Sequence, residues 1–198
     1  MRRKSHRVRN GLIAVAILAF IVSTVAVAFQ INDAKPNGGS DENTVLLVTS
    51  MGNITIQLYD DMPITTGNFR NLVKTGAYDG TTFNRVAPGF VIQGGDVTTK
   101  GINVAPIQDE LPNKHSNVRG AVAMAKTSQA NSATCQFFID LNDTNAKNLD
   151  GFYSVFGMVT EGMNVVDAIS RVPINPTNGP NDGTPKTPVT IETARFIS

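Results

Sequence analysis

Residues 83–96 read Phe-Asn-Arg-Val-Ala-Pro-Gly-Phe-Val-Ile-Gln-Gly-Gly-Asp, and a few side chains among them could do chemistry together. Arg85 carries a guanidinium that stays charged and offers five N–H donors in a fixed fork. Phe83 and Phe90 supply aromatic wall, and Gln93 adds an amide that both donates and accepts. Taken alone, the stretch leaves two readings open: a solvated strand arginine, which is the commoner case, and an arginine turned toward a pocket.

What must position these groups is strand, turn, strand, turn. Phe83–Val86 and Phe90–Gln93 are rich in β-formers, while Pro88-Gly89 and Gly94-Gly95 mark bends. Strand alternation then places Phe83 and Arg85 on one face, Phe90 and Ile92 together, and Val91 with Gln93 opposite them.

This stretch resembles the active-site signature of the cyclophilin family of peptidyl-prolyl cis/trans isomerases. A second block, Met124-Ala125 through Gln136-Phe137-Phe138-Ile139, resembles the other half of that signature, and the similarity runs from about Val45 to Ile197. The resemblance implies a mainly β fold, a closed eight-stranded antiparallel barrel capped by a helix at each end.

It also implies a reaction. An X–Pro bond turns slowly because partial double-bond character sets a barrier of roughly 18–20 kcal/mol. An enzyme need only hold the twisted amide better than either planar form, with no cofactor, nucleophile or metal. By resemblance, Arg85 donates to the prolyl nitrogen once twisting has freed its lone pair, and Gln93 and Gln136 fix a substrate carbonyl and orient Arg85. Phe90, Val91, Phe138 and Leu149 form the proline pocket, with Tyr153 at its rim. Ala125 and Lys126 offer backbone groups to the residues before proline. Ile92 and Phe137 are ordinary core, since alternation puts Gln136 and Phe138 on one face and Phe137 on the other. Asn148 stands where better-known relatives have tryptophan, and the chain has none, so weak cyclosporin binding is expected.

Other chemistries find little support. The single cysteine, Cys135, allows no internal disulfide and reads as a small core or pocket-rim residue. The two histidines, His6 and His115, lie far apart in sequence, and His115 in a Lys-His-Ser loop is expected to face solvent. So few His and Cys make a transition-metal site unexpected.

Around the signature, Thr44–Thr49 and Ile54–Tyr59 read as a hairpin, Pro63–Thr75 and Glu161–Arg171 as helices, and Gly120–Ala125, Cys135–Asp140, Tyr153–Val159 and Val189–Ile197 as strands. Asn148–Phe152 reads as a turn, and the Pro, Asn and Gly residues through Pro188 as a loop.

The N-terminus differs. Residues 1–29 hold five of the 17 Lys and Arg and none of the 16 acids, so residues 30–198 carry a formal charge of −4 and no basic bulk for nucleic acid. Gly11–Phe29 is nineteen residues without a charge, long enough as a helix to cross a bilayer. The basic cluster before it puts the N-terminus inside and the rest outside. Residues 1–29 are therefore expected to be a membrane anchor, or a signal peptide cut after Ala26-Val27-Ala28, residues 30–43 a flexible linker, and residues 44–198 the isomerase domain.

The function expected is X–Pro isomerisation, by a monomer, in unfolded or folding proteins outside the cytoplasm, either at the membrane or, after cleavage, in a periplasmic or secreted form. The alternatives are a chaperone module that binds proline peptides with little catalysis, and a barrel that serves only as scaffold.

Overall fold

A computed structural model describes residues 42–198. The expected hydrophobic segment 11–29 and residues 30–41 of the expected linker lie outside them. Among the described residues no helix is long and apolar enough to cross a membrane.

Ten strands and three α-helices follow one another among the described residues: β1 (Thr44–Thr49), β2 (Gly52–Leu58), α1 (Pro63–Lys74), β3 (Phe83–Ala87), β4 (Val91–Gly94), β5 (Ala121–Met124), β6 (Phe137–Asp140), α2 (Ala146–Leu149), β7 (Val155–Glu161), α3 (Met163–Ile169), β8 (Ile174–Gly179), β9 (Asp182–Pro185) and β10 (Ile191–Phe196). The strands form one antiparallel sheet in the order β10-β1-β2-β7-β5-β6-β4-β3-β9-β8.

This corrects the expected closed eight-stranded barrel with two helices. The stretch read as a loop through Pro188 contains the hairpin β8–β9, which takes the outer edge of β3 by pairing Val86 with Gly183. β3 and β10 do not pair as strands; the segments leading into them meet at an isolated bridge, Thr82 with Thr190, flanked by Phe83 N–H donating to Val189 O at 2.9 Å and Ile191 N–H donating to Thr81 O at 2.7 Å. The ladder stays open at β8 and β10. The third helix is α2, a single turn where a simple turn was expected.

Alternation divides the sheet into two apolar faces. Ile92, Val122, Met124, Phe137, Ile139 and Phe156 point into the main core, while their neighbours Val91, Ala121, Ala123, Phe138 and Val155 build a second cluster on the other face. Helix α1 seals the main core with Phe69, Leu72 and Val73. The Phe69 ring lies 5.1, 5.5 and 4.9 Å from the rings of Tyr78, Phe137 and Phe156. Proline opens α1, where its missing N–H costs nothing, and Glu110 caps the next two amides, accepting from Ile64 N at 3.0 Å and Thr65 N at 2.7 Å. Cys135 is buried in the main core.

His115, expected to face solvent, is only partly exposed. Its ring stacks on Tyr59 with centroids 3.8 Å apart, and Nε2 lies 2.7 Å from Asp61 Oδ1. An aromatic neighbour and a carboxylate together hold the ring against the domain.

Candidate active site

The site sits on the second face, where β3, β4 and β6 present alternate residues outward. A β-bulge decides what β3 contributes. Phe83 pairs with Gly94 but Arg85 pairs with Gln93, so one extra residue, Asn84, is accommodated between them. Phe83 and Arg85 consequently do not share a face as expected: Phe83 is buried in the main core and Arg85 lines the cavity.

The turn after β3 makes the second adjustment. Ala87-Pro88-Gly89-Phe90 is closed by Phe90 N–H donating to Ala87 O at 2.9 Å, with Gly89 at φ +75°. Proline at the second position and a positive-φ glycine at the third suit a type II turn. Phe90 thus belongs to the turn rather than to a strand, and the alternation expected to pair it with Ile92 does not apply. Phe90, Val91 and Gln93 all line the cavity, while Ile92 is core.

The cavity encloses about 320 Å³. All ten residues singled out in the sequence border it: Arg85, Phe90, Val91, Gln93, Ala125, Lys126, Gln136, Phe138, Leu149 and Tyr153. Phe138 and Leu149 form a buried floor, and the Tyr153 ring meets Phe138 edge-on at 5.4 Å. Thr127, Ser132 and Thr134 also line it. These were not anticipated, because they lie in a polar loop whose composition says nothing of its direction.

Polar groups along one wall form a chain. Asn84 Nδ2 and Gln93 Nε2 both donate to Gln136 Oε1, at 3.3 and 2.9 Å. Arg85 Nη1 donates to Gln93 Oε1 at 3.4 Å, and its Cζ stands 5.9 Å from the centroid of the Phe90 ring. Behind Arg85 lies Asp182 of β9, which no local pattern pointed to, since it is 97 residues away in sequence. Its carboxylate accepts from Nε at 2.9 Å and from Nη2 at 2.7 Å. Hydrogen bonding to Asp182 raises the Arg85 pKa, and hydrogen bonding to Arg85 lowers that of Asp182. Both remain charged at neutral pH.

One of the backbone groups of Ala125 is already bonded. The Ala125 amide donates to Gln136 O at 2.9 Å, so a ligand beside it meets no free N–H from that residue. Lys126 turns its ammonium to Asp109 Oδ2 at 3.0 Å and Gln129 O at 3.3 Å.

The arrangement offers an apolar floor, a cation held beside it by a carboxylate, and side-chain amides in between. It suits a neutral ligand with a compact apolar ring and a polar backbone.

Comparison with known proteins agrees with this geometry. Residues 44–196 match the family described as cyclophilin type peptidyl-prolyl cis-trans isomerase/CLD. A peptidyl-prolyl cis-trans isomerase of Acinetobacter baylyi is 46% identical over 164 residues, covering 79% of this chain and 87% of its own. Peptidyl-prolyl cis-trans isomerase A of Dickeya dadantii is 39% identical over 186 residues, covering 89% and 97%. Among solved structures, a Cryptosporidium parvum cyclophilin-type isomerase crystallised in the presence of the dipeptide Ala-Pro superposes with a TM-score of 0.69 at 26% identity, covering 78% of this chain and 99% of its own.

Proposed function

The chain belongs to the cyclophilin-type peptidyl-prolyl cis-trans isomerases, and from that premise we propose that it turns X–Pro bonds by seating the prolyl ring on Phe138 and Leu149 while Arg85 donates to the twisted amide nitrogen. The observation that carries the mechanism is a cavity in which a held guanidinium borders an apolar floor. The Ala-Pro dipeptide present with the Cryptosporidium relative suits a ligand of the same kind here.

A planar amide spreads its nitrogen lone pair into the carbonyl. Twisting withdraws that delocalisation, so the nitrogen becomes an acceptor in the transition state alone. A donor aimed there stabilises the transition state selectively and speeds rotation in both directions. Gln136 Oε1 already accepts two bonds, so its Nε2 hydrogens are the ones left to donate to a substrate carbonyl. A hydrogen bond from a charged donor is worth about 1.5–3 kcal/mol, which is roughly 10- to 100-fold in rate.

The test is isomerisation of a Xaa-Pro peptide by the wild type beside Arg85→Ala, with folding of both checked by circular dichroism. A folded variant slower by that factor supports the mechanism; one with undiminished rate refutes it and leaves Arg85 a bystander.

We further propose that the domain works outside the cytoplasm, tethered by residues 11–29 or released after them. The support is the basic cluster followed by nineteen uncharged residues. Protease added to spheroplasts should digest an anchored domain, a released one should appear in the periplasmic or culture fraction, and full protection inside spheroplasts would overturn this reading.

A further inference from the structure

Arg85 does not stand free in its cavity. The carboxylate of Asp182 engages it along one edge, through Nε at 2.9 and 3.2 Å and Nη2 at 2.7 Å, and Gln93 takes one Nη1 hydrogen at 3.4 Å. Two of the five donors therefore face Asp182 and one faces Gln93, leaving the remaining hydrogens on the terminal nitrogens for a ligand. The pair is partly withdrawn from water, with 31% of the Arg85 side chain and 20% of Asp182 exposed.

Asp182 owes its place to an otherwise exposed hairpin. Five of the six β8 residues are exposed. The hairpin is joined to β3 by Val86 opposite Gly183, one residue from Asp182, and its strands approach closely enough that a Cβ on Gly183 would lie 2.0 Å from Asn175 O. Asn178 Nδ2 adds a long contact, 3.5 Å, to Asp182 Oδ1.

We propose that Asp182 is a positioning residue for isomerisation, holding the Arg85 fork so that its free hydrogens aim at the prolyl nitrogen, and that the β8–β9 hairpin is thereby part of the catalytic apparatus. The inference rests on the role given to Arg85 above. Two effects of the carboxylate oppose each other. It fixes a long side chain that would otherwise sample many rotamers, and it neutralises part of the cation's field. Rotation about X–Pro creates no net charge, only a directional lone pair, so aim outweighs field and removing Asp182 slows the reaction.

The experiment measures kcat and KM for a Xaa-Pro peptide with the full chain as wild type, Asp182→Ala, Asp182→Asn, Arg85→Ala and the Asp182→Ala/Arg85→Ala double variant, and follows the Arg85 Nε–H resonance by NMR. For Asp182→Ala, kcat should fall about tenfold and KM change less than about twofold, with the Nε–H resonance moved from its wild-type position. Asp182→Asn, which keeps the shape and one acceptor, should fall between, and Asp182→Ala should cost nothing further once Arg85 is alanine. A folded Asp182 variant with wild-type kcat overturns the proposal, as does an equal loss in the Arg85→Ala background. Should Asp182→Ala not fold, Asp182→Asn decides between the same outcomes by the same readouts. A wild type no faster than Arg85→Ala removes the role of Arg85 itself, and this proposal with it; a slow Arg85→Ala beside a full-speed Asp182→Ala removes this proposal alone.

Discussion

Gln93 donates through Nε2 to Oε1 of Gln136 at 2.9 Å, which joins β4 to the residue entering β6 along one wall of the cavity. The direction of that bond orients both amides. Gln93 must turn its carbonyl oxygen toward Arg85, and Gln136 must turn its nitrogen away from Gln93.

Replacing Gln136 with methionine keeps the bulk and removes the acceptor shared by Gln93 and Asn84. Each unmatched but partly solvated donor costs about 1 kcal/mol. The expected outcome is a loss of roughly tenfold in kcat/KM with the melting temperature lowered by only a few degrees. Unchanged kcat/KM would show that the amide chain does not contribute to catalysis.

Asp140 gives the fold a pH dependence. Its carboxyl is fully buried, Asn145 Nδ2 donates to Oδ1 at 2.7 Å, and Oδ2 has no partner among the described residues. Burial, with the charge of Asp150 adding to it, raises its pKa to about 7. An unfolded chain releases that proton near pH 3.9. Between those values the native state binds more protons, so stability falls as pH rises from about 4 to 7 and then levels off. Asp140→Asn keeps an acceptor for Asn145 and removes the ionisation. Thermal melts should show the variant more stable than the wild type at pH 8, by up to a few kcal/mol, with the gap narrowing below pH 7 and closing near pH 4. Parallel curves would mean that Asp140 does not titrate in this range.

Much of the site was legible because period-two alternation is local. Phe137 against Phe138, and Ile92 against Val91, fall on the faces that their spacing assigns. The misplacements have physical causes of longer reach. A bulge at Asn84 changes face by one residue, and nothing in Phe-Asn-Arg announces it. Pro176, Pro180 and Pro185 made residues 174–185 read as loop, yet this is a hairpin: Pro176 lies on β8, the sheet's edge, where one row of N–H groups needs no partner, Pro180 lies in the connection between the strands, and Pro185 is the last residue of β9. Asp182 was invisible for the same reason: its partner lies on another strand, and only the completed sheet brings them together.

Gly183→Ala probes that hairpin from the side away from the cavity. The added Cβ would sit 2.0 Å from Asn175 O, so the strands must separate. Hydrogen exchange over residues 174–185 should quicken, and kcat should fall together with it, toward the value for Asp182→Ala. A hairpin that loosens while kcat holds would sever the link between them.

The first strand of the domain lies beside the last, with Val45 opposite Phe196 and Thr49 opposite Ile191. During synthesis β1 exists long before β10, so one of its two edges has no neighbour until nearly the whole chain has been made. Asp182, too, arrives late, well after Arg85. A partly made chain can acquire neither its final sheet order nor the charge pair in its cavity.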